Sequence, residues 1–401
     1  MASSGRPLTS IEICAGAGGQ AVGLHRAKFR HLVLVEIDKD ACKTLDFNTG
    51  RDNEWGQCEV LDVDVNDFDP FRPMKALGGR SLVPGELDLL AGGVPCPPFS
   101  VAGKQLGQDD DRDLFPRMLD LVDQLQPKAV MIENVRGILS EKFATYRDGT
   151  IRQRLEGSGY EICEWDLLEA RDFGVPQLRP RAILVAIKKE ILRESKKNGV
   201  EFVWPTATVT KDVTVAEALK DSMKARFDEH GEPGKTAYKL WLDKATAAGG
   251  VAPTLVGGSK KHGGADLGPS RAKAAWDDLG VNGLGVANDP DKCVPGRDLF
   301  RGRGPMLTVF QAAIIQGFPR DWEFLGGKTA RYRQVGNAFP PPVAEAVGLA
   351  IAEVLQSCVQ ENVESVAPEA TSTLFVLPAP MGEPGAASAN DRGNRERALV
   401  R

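Results

Sequence analysis

Cys96 is the residue of this 401-residue chain whose setting most clearly suggests chemistry. It lies in the segment PCPPFS, between Pro95 and Pro97, directly after an apolar run and a glycine pair. An apolar run that ends in glycines predicts a buried strand followed by a turn, where open α/β sheets place their ligands. The flanking prolines stiffen the turn and orient the sulfur, which suits a nucleophile. A buried structural cysteine is the competing interpretation, because free cysteine is among the most buried residue types.

A glycine turn and two acidic residues follow three other predicted strands. The first strand enters the glycine-rich stretch 15–19, the second ends at Glu36 and the third ends at Asp62. Glycines let the backbone approach a ligand closely, and an acid about 20 residues further on can accept hydrogen bonds from ribose hydroxyls. Taken singly, these features also fit a tight turn and two helix caps. Together they predict a site for a nucleotide-like cofactor.

A carboxylate and two arginines are predicted to face the same crevice as the cysteine. Glu133 follows the apolar run 128–132, and the segment QLRPR places Arg179 and Arg181 before the apolar run 182–187. Residues two apart on a strand point to the same side of a sheet, so the two guanidinium groups should lie together. A helix cap and a pair of solvated arginines are the competing interpretations.

These motifs, namely PCPPFS followed by GKQLG, ENV at 133–135 and the QxRxR spacing at 177–181, resemble those of the cytosine-5 DNA methyltransferases of bacterial restriction–modification systems. The resemblance extends over most of the chain. It implies an α/β fold with a doubly wound, Rossmann-like sheet that binds S-adenosyl-L-methionine, beside a smaller, irregular target-recognition domain. The implied activity is methyl transfer to C5 of a flipped-out cytosine in a specific double-stranded DNA sequence, through a covalent bond between Cys96 and C6.

The resemblance also implies roles for individual residues. Glu133 would contact the N3 and amino edge of the cytosine, and Arg181 its O2 atom, while Arg179 orders the site. Many members have a phenylalanine where Cys14 stands. The implied cofactor residues are Cys14, Ala15, Gly16, Gly18, Gly19, Glu36, Ile37, Asp62, Val63, Pro95, Asn337 and Ala338. The candidate DNA contacts are Ser100, Gln105, Lys260, Lys261, His262 and Arg271.

Four segments follow from this interpretation. Residues 1–188 are predicted to be the catalytic, cofactor-binding domain, 189–325 the recognition domain, and 326–358 a return to the catalytic domain. Only about ten residues precede the first strand, so a helix near the end of the chain is expected to fold back against it. The segment 359–401 has the composition of a disordered tail. Within the recognition domain, Gln311 stands where a glutamate is usual, which predicts a hydrogen bond in place of a salt bridge.

Composition limits the cellular setting. Hydrophobic residues make up 42% and charged residues 26% of the chain, as in soluble globular proteins, and no apolar run is long enough for a membrane span. Seven scattered cysteines without a CxxC pair, and four histidines, argue against a disulfide framework or a metal site. The cysteine pattern indicates a reducing, cytoplasmic compartment, and the resemblance implies a monomer that acts on nucleoid DNA of a bacterium without a metal. A cognate restriction endonuclease that acts separately is a possible partner.

The net charge of −5 does not by itself indicate a nucleic-acid-binding protein. The segment 188–303, however, carries 20 Lys and Arg against 16 Asp and Glu, which fits local contact with phosphates. An RNA (tRNA) cytosine-5 methyltransferase with the same motifs, and a catalytically silent DNA-binding regulator, are the alternatives. A nicotinamide-dependent dehydrogenase could share the glycine turn, but it would leave Cys96, Glu133 and the arginines without a joint purpose.

Overall fold

A seven-stranded sheet of order β3-β2-β1-β4-β5-β7-β6 is the centre of the molecule in this computed structural model. The structure describes residues 6–51, 53–95, 113–257 and 265–358. The strands are β1 (Leu8–Ile13), β2 (Phe29–Glu36), β3 (Glu59–Asp62), β4 (Leu89–Gly92), β5 (Ala129–Val135), β6 (Tyr160–Glu169) and β7 (Pro180–Lys188). The strands β1 to β5 run parallel, whereas β7 is antiparallel to β5 and β6 is antiparallel to β7.

Helices cover the sheet and recur along the described residues that follow it. They are α1 (Gly19–Arg26), α2 (Lys39–Gly50), α3 (Phe115–Leu125), α4 (Ala144–Tyr146), α5 (Gln153–Gly157), α6 (Lys189–Lys197), α7 (Val215–Asp228), α8 (Gly231–Ala248), α9 (Ser270–Asp278), α10 (Pro295–Asp298), α11 (Val309–Gln316), α12 (Lys328–Asn337) and α13 (Pro341–Ser357). Among them, no single helix is long and apolar enough to cross a membrane. The bent pair of α12 and α13 passes that test by length and composition, but α13 is largely buried against the sheet.

The inner strands are apolar because both of their faces are covered, as is usual for parallel strands. Every residue of β1 and β4 is buried. The predicted α/β fold is confirmed, and the strands that were expected are found within a few residues of their predicted ends. The edge strand β6 was not predicted. It is half-exposed and rich in acidic residues, so it lacks the continuous apolar run that marks the inner strands.

The register of the strands brings the chemically important residues to one edge of the sheet. Ile13 of β1 lies beside Gly92 of β4, and Gly92 lies beside Ile132 of β5. The residues that follow them therefore emerge at the same level. A Cβ atom on Gly93 would lie 3.1 Å from Oε2 of Glu133, so glycine permits this close approach. The strand order also reverses at this edge, because β2 lies on one side of β1 and β4 lies on the other. Doubly wound sheets bind ligands at such a reversal of strand order.

The helix near the end of the chain packs against the first helix and the first strand, as the sequence predicts. The contact between α13 and α1 is close, because a Cβ on Gly23 would lie 2.4 Å from the carbonyl oxygen of Pro341. Leu24, Val343 and Val347 belong to the same buried cluster at this contact. The return of the chain carries α12, and with it Asn337, to the edge of the sheet.

The region 189–308 contains more helix than the sequence suggested. Its expected irregular character applies to the stretches between helices, but α7, α8 and α9 occupy much of it. The helix α7 begins at a capping box, in which Thr214 and Glu217 satisfy each other's backbone N–H groups. The first residues of α8 are GEPG, a sequence that is typical of a turn. Proline is nevertheless tolerated in the first turn of a helix, so these residues can begin α8.

A hydrogen bond stands at the position of the expected salt bridge in this region. Arg226 Nη1 donates to Gln311 Oε1 over 2.6 Å and to the carbonyl oxygen of Met306 over 2.9 Å. Gln311 also completes a capping box with Thr308 at the start of α11. The prediction made for Gln311 is therefore confirmed.

Candidate active site

Two neighbouring cavities open at the carboxyl-terminal edge of the parallel strands. The first has a volume of about 360 Å³ and the second about 500 Å³. Both cavities are lined by Gly93 and Pro95 of the turn after β4, by Glu133 of β5 and by Asn337 of α12. A ligand in one cavity would therefore lie next to a ligand in the other.

Glu133 and Arg181 form the polar centre of the second cavity. Arg181 Nε lies 2.7 Å from Glu133 Oε1, and the side chains are 12% and 14% exposed. Burial raises the pKa of the Glu133 carboxyl above its ordinary value, although Arg181 and Arg179 oppose the shift. Burial thus favours the protonated form of a carboxyl group that lies beside the guanidinium group of Arg181.

Arg179 has a different role from Arg181, although both line the second cavity. Its guanidinium group is 1% exposed and donates to the carbonyl oxygens of Leu255, Gly336 and Ala338 over 2.8, 2.8 and 2.9 Å. Burial lowers the pKa of Arg179 well below its ordinary value. These bonds join the residue before β7 to the segment 254–257 and to the end of α12, so Arg179 cross-links the wall of the cavity.

The segment 254–257 forms the opposite wall of the second cavity. Thr254 Oγ1 donates to the carbonyl oxygen of Leu178 over 2.6 Å, and Leu255 N donates to Gln177 Oε1 over 2.8 Å. Sequence reasoning missed these residues because they lie in a glycine-rich stretch without periodicity. Asn134 was also missed as a positioning residue. Its side chain donates to the carbonyl oxygen of Val94 over 2.9 Å and so fixes the turn before Pro95.

Glu36 organises the first cavity. Its carboxylate accepts hydrogen bonds from the backbone N–H groups of Gly16, Ile37 and Asp38 over 2.7, 2.9 and 2.8 Å. Glu36 is not the helix cap that the competing interpretation required, because Asp38 caps α2. The carboxylate instead ties the glycine turn to the end of β2, beside the open space.

Cys14 also lies in the wall of this cavity, in a left-handed backbone conformation with φ of 52°. Burial, followed by the charge of Glu36, raises the pKa of its thiol to about 12. A thiol with that pKa stays protonated near neutral pH and is a poor nucleophile. Cys14 therefore contributes shape and not reactivity.

A third cavity, of about 390 Å³, continues from the first and shares Cys14, Glu36 and Pro95 with it. Its wall is mainly apolar and includes Ile37 and Val63. Most predicted cofactor residues thus line one of two connected cavities. The first is lined by Cys14, Ala15, Gly16, Gly19, Glu36, Pro95, Asn337 and Ala338, and the third adds Ile37 and Val63.

Two of the predicted cofactor residues lie elsewhere. Asp62 is exposed at the end of β3, and the acid of this turn that lines the third cavity is Asp64, because the chain bends after the strand ends. A Cβ on Gly18, which has φ of 89°, would lie 2.6 Å from the ring of Trp322. Gly18 therefore packs against Trp322 instead of facing the open space.

Several residues of the first cavity were not predicted from the sequence. Glu12 and Gln20 are buried at 1% and 3% exposure, and among the described residues Glu12 Oε2 and both amide atoms of Gln20 have no hydrogen-bond partner. Arg333 and Phe339 reach the cavity from α12 and the segment after it. These residues come from distant parts of the chain and carry no local motif.

The remaining predicted residues fall mostly outside the described part of the chain. They are Cys96, Ser100, Gln105, Lys260, Lys261 and His262. Arg271 is described and is exposed on α9. Within the ranges that the structure describes, no cluster of three or more His, Cys, Asp or Glu side chains could hold a metal ion.

Comparison with solved structures agrees with this architecture. An Escherichia coli prophage protein described as a DNA modification methyltransferase has a TM-score of 0.54 at 23% identity, over 89% of this chain and 99% of that chain. The Entamoeba histolytica methyltransferase EhMeth has a TM-score of 0.53 at 15% identity, with the same coverage. At these identities the likeness establishes the fold.

Sequence comparison is more specific. Type II methyltransferase M.NaeI of Lentzea aerocolonigenes is 50% identical over 349 residues, which cover 87% of this chain and 75% of that protein. Type II methyltransferase M.NgoMIV of Neisseria gonorrhoeae is 44% identical over 351 residues, which cover 87% of this chain and 98% of that protein. A family model described as C-5 cytosine-specific DNA methylase matches residues 8–353. The chain therefore belongs to the C-5 cytosine-specific DNA methylase family and is a DNA (cytosine-5)-methyltransferase.

Proposed function

We propose that the protein methylates C5 of a cytosine within a specific double-stranded DNA sequence, as the modification enzyme of a restriction–modification system. The observation that carries this proposal is the pair of adjoining cavities that meet at Glu133 and Pro95, one residue before Cys96. Its partner endonuclease would act separately on the same DNA sequence, and the enzyme would work as a monomer in the cytoplasm.

The first and third cavities fit S-adenosyl-L-methionine by their chemistry. The apolar third cavity suits a purine ring, and Glu36 lies where the two cavities join, within reach of a ribose. The unpartnered polar atoms of Glu12 and Gln20 suit the polar amino-acid end of such a molecule. When bound, S-adenosyl-L-methionine supplies an electrophilic methyl group.

The second cavity is proposed to receive the cytosine. Because C5 and C6 cannot be reached inside a duplex, the base must leave the stack, at a cost of a few kcal/mol that contacts in the pocket offset. The protonated carboxyl of Glu133 would donate to N3, and the guanidinium group of Arg181 would donate to O2. Arg179 would hold these walls in place through its three carbonyl contacts.

Cys96 is proposed as the nucleophile. Its thiolate adds to C6, and the electron pair of the 5,6-double bond moves toward C5, which becomes able to take the methyl group. Glu133 stabilises the ring by its proton at N3 during this addition. Loss of the C5 proton to a base then restores the double bond as the bond between sulfur and C6 breaks, so the cysteine is regenerated.

The recognition of the DNA sequence is assigned to residues 189–325, and the catalytic chemistry to residues 1–188 together with 326–358. The segment 254–257 would then bring the recognition region to the base pocket. The exposed Arg271, and Lys260, Lys261 and His262, are proposed DNA contacts within that region, while Ser100 and Gln105 are proposed contacts near the nucleophile. No role is proposed for residues 359–401.

Bisulfite sequencing of DNA from cells that express the protein tests this proposal and identifies its target. Cytosines within one short sequence should be methylated in cells with the wild-type protein and unmethylated in cells with Cys96→Ala at equal expression. Purified protein should transfer labelled methyl groups to duplex DNA carrying that sequence and not to transfer RNA added in competition. Methylation that persists in Cys96→Ala, or that goes to transfer RNA, would reject the proposal.

A further inference from the structure

Arg333 is the cationic side chain that the described residues contribute to the first cavity. It lies on α12, one helical turn before Asn337, so both side chains face the same space. The wall also contains four carboxyl groups, those of Glu12, Glu36, Asp38 and Glu133. Arg333 is therefore the side chain of this described wall that could form an ion pair with a negatively charged ligand group.

The guanidinium group of Arg333 is only partly engaged by the described residues. Its Nη2 atom lies 3.4 Å from Oδ2 of Asp38, which is long for a charge-assisted hydrogen bond. The neighbouring Gln334 differs, because its amide accepts from Thr44 Oγ1 over 2.7 Å and donates to the carbonyl oxygen of Leu325 over 2.9 Å. Gln334 thus has a structural role, whereas Arg333 has donors left for a ligand.

The first cavity, which Arg333 lines, is the more polar of the two connected cavities. The third cavity is lined largely by valines, Ile37 and Leu114 and suits an aromatic base. The wall of the first cavity also contains the buried, unpartnered amide of Gln20 and the unpartnered Oε2 atom of Glu12. Buried polar atoms without partners indicate that a polar ligand group completes their hydrogen bonding.

Resting on the proposed function, we infer that Arg333 binds the amino-acid carboxylate of the methyl donor and of its demethylated product. Asp38 holds the guanidinium group at the mouth of the cavity until a ligand carboxylate takes over part of its hydrogen bonding. A planar guanidinium group matches a carboxylate through two parallel hydrogen bonds, which a wall of acids cannot provide. The backbone N–H groups of the glycine turn are the rival site for the same carboxylate.

Isothermal titration calorimetry with two probes tests this inference on the full-length protein. One probe is S-adenosylhomocysteine, and the other is its decarboxylated analogue, S-adenosyl-3-thiopropylamine. Arg333→Gln should weaken binding of S-adenosylhomocysteine on the order of tenfold, since a hydrogen-bonded ion pair is lost, and should change binding of the analogue less than about twofold. Arg333→Lys should keep part of the preference for S-adenosylhomocysteine over the decarboxylated analogue. Lysine keeps the positive charge but lacks the two parallel N–H donors of a guanidinium group.

Arg331→Gln is the matched control. Arg331 lies on the same helix and pairs with Asp289 through an Nη2–Oδ2 contact of 2.5 Å, away from the lining of the cavity. This variant should bind both probes as the wild type does. Equal weakening of both probes by Arg333→Gln, or no weakening of either, would overturn the inference. A wild-type protein that bound neither probe would instead reject the proposed function.

Discussion

At the carboxyl-terminal edge of the sheet, the partly buried side chains of Glu133 and Arg181 face each other in the wall of a cavity. In the helical region 189–308, the buried charge of Arg226 is turned toward Gln311 and a backbone carbonyl, so it joins α7 to α11. Burial shifts the pKa of Glu133 upward and that of Arg226 downward. Burial causes both pKa shifts, but of these two side chains it is Glu133 that lines a cavity where a ligand could contact it.

Arg179 shows how the two regions are connected. It belongs to the segment that enters β7, yet one of its carbonyl partners is Leu255, between α8 and α9 in the region 189–308. The backbone adds to this connection, because Leu178 N donates to the carbonyl oxygen of Ala252 over 2.8 Å. The comparison teaches that a buried charge near a strand end can serve either chemistry or cross-linking, and its partners decide which.

Among variants that compare these two regions, the largest effect is expected for Glu133→Gln, which removes the ionisable group of the proposed catalytic pair. Loss of proton donation to the base should lower kcat/KM for DNA methylation about 10²- to 10⁴-fold, while folding is retained. Labelled methyl transfer to target duplex measures the effect. Glu161→Gln, on the exposed side of β6, is the control and should keep wild-type activity. Activity of Glu133→Gln within tenfold of the wild type would contradict the catalytic assignment of this edge.

Arg179→Met and Arg181→Met should separate cross-linking from chemistry. Arg179→Met leaves three buried carbonyl groups without their donor, so the free energy of unfolding should fall by about 3 kcal/mol. Arg181→Met should cost less stability, because Glu133 can take up a proton, and should instead lower methyl transfer. Urea unfolding followed by circular dichroism measures the first effect. Equal losses of stability in both variants would remove the distinction.

Gln311→Leu tests the buried charge of the helical region. The change removes the acceptor of Arg226 and one half of the capping box at α11, so unfolding free energy should fall by about 1–3 kcal/mol. Gln311→Glu keeps an acceptor in the same place and should retain or raise stability. If Gln311→Leu is as stable as the wild type in urea unfolding, Arg226 does not depend on this contact.

The smallest effect is expected from Glu12→Gln, which should change how the free energy of unfolding depends on pH. Burial raises the pKa of Glu12 well above its ordinary value of 4.5, so the folded protein retains a proton that the unfolded chain releases above that pH. Wild-type stability should therefore fall as pH rises from 4.5, and this part of the slope should be absent in Glu12→Gln. Thermal unfolding without ligand between pH 4 and 8 measures it, and parallel profiles for the two proteins would contradict the shift.

The sequence predicted the sheet edge well because its signals are local. Continuous apolar runs marked the inner strands, and the residues that end them, such as Glu36 and Glu133, fall at the cavities. Asp64, which lines the third cavity, was not singled out beside the predicted Asp62, because its position depends on where the chain bends after β3. Local signals at strand ends thus identify an edge more reliably than a particular side chain.

The rest of the site depends on contacts between distant segments. Arg333 lies nearly 300 residues after Asp38, and nothing in the local sequence around either residue indicates that they meet. The helices α7 to α9 were missed because glycine and proline at their ends resemble turns. The placement of the region 189–308 could not be derived from periodicity, since it depends on single contacts such as that of Arg179 with Leu255.

The central claim is that Cys96 bonds to a cytosine held beside Glu133. The most direct measurement uses a target duplex in which 5-fluorocytosine replaces the target cytosine, incubated with the protein and S-adenosyl-L-methionine. Fluorine at C5 cannot leave as a proton does, so the bond between sulfur and C6 should persist. Peptide mapping by mass spectrometry should then find the nucleotide on Cys96 and on no other cysteine. An adduct on another cysteine such as Cys14, or no adduct with a duplex that the enzyme methylates when it carries cytosine, would contradict the account.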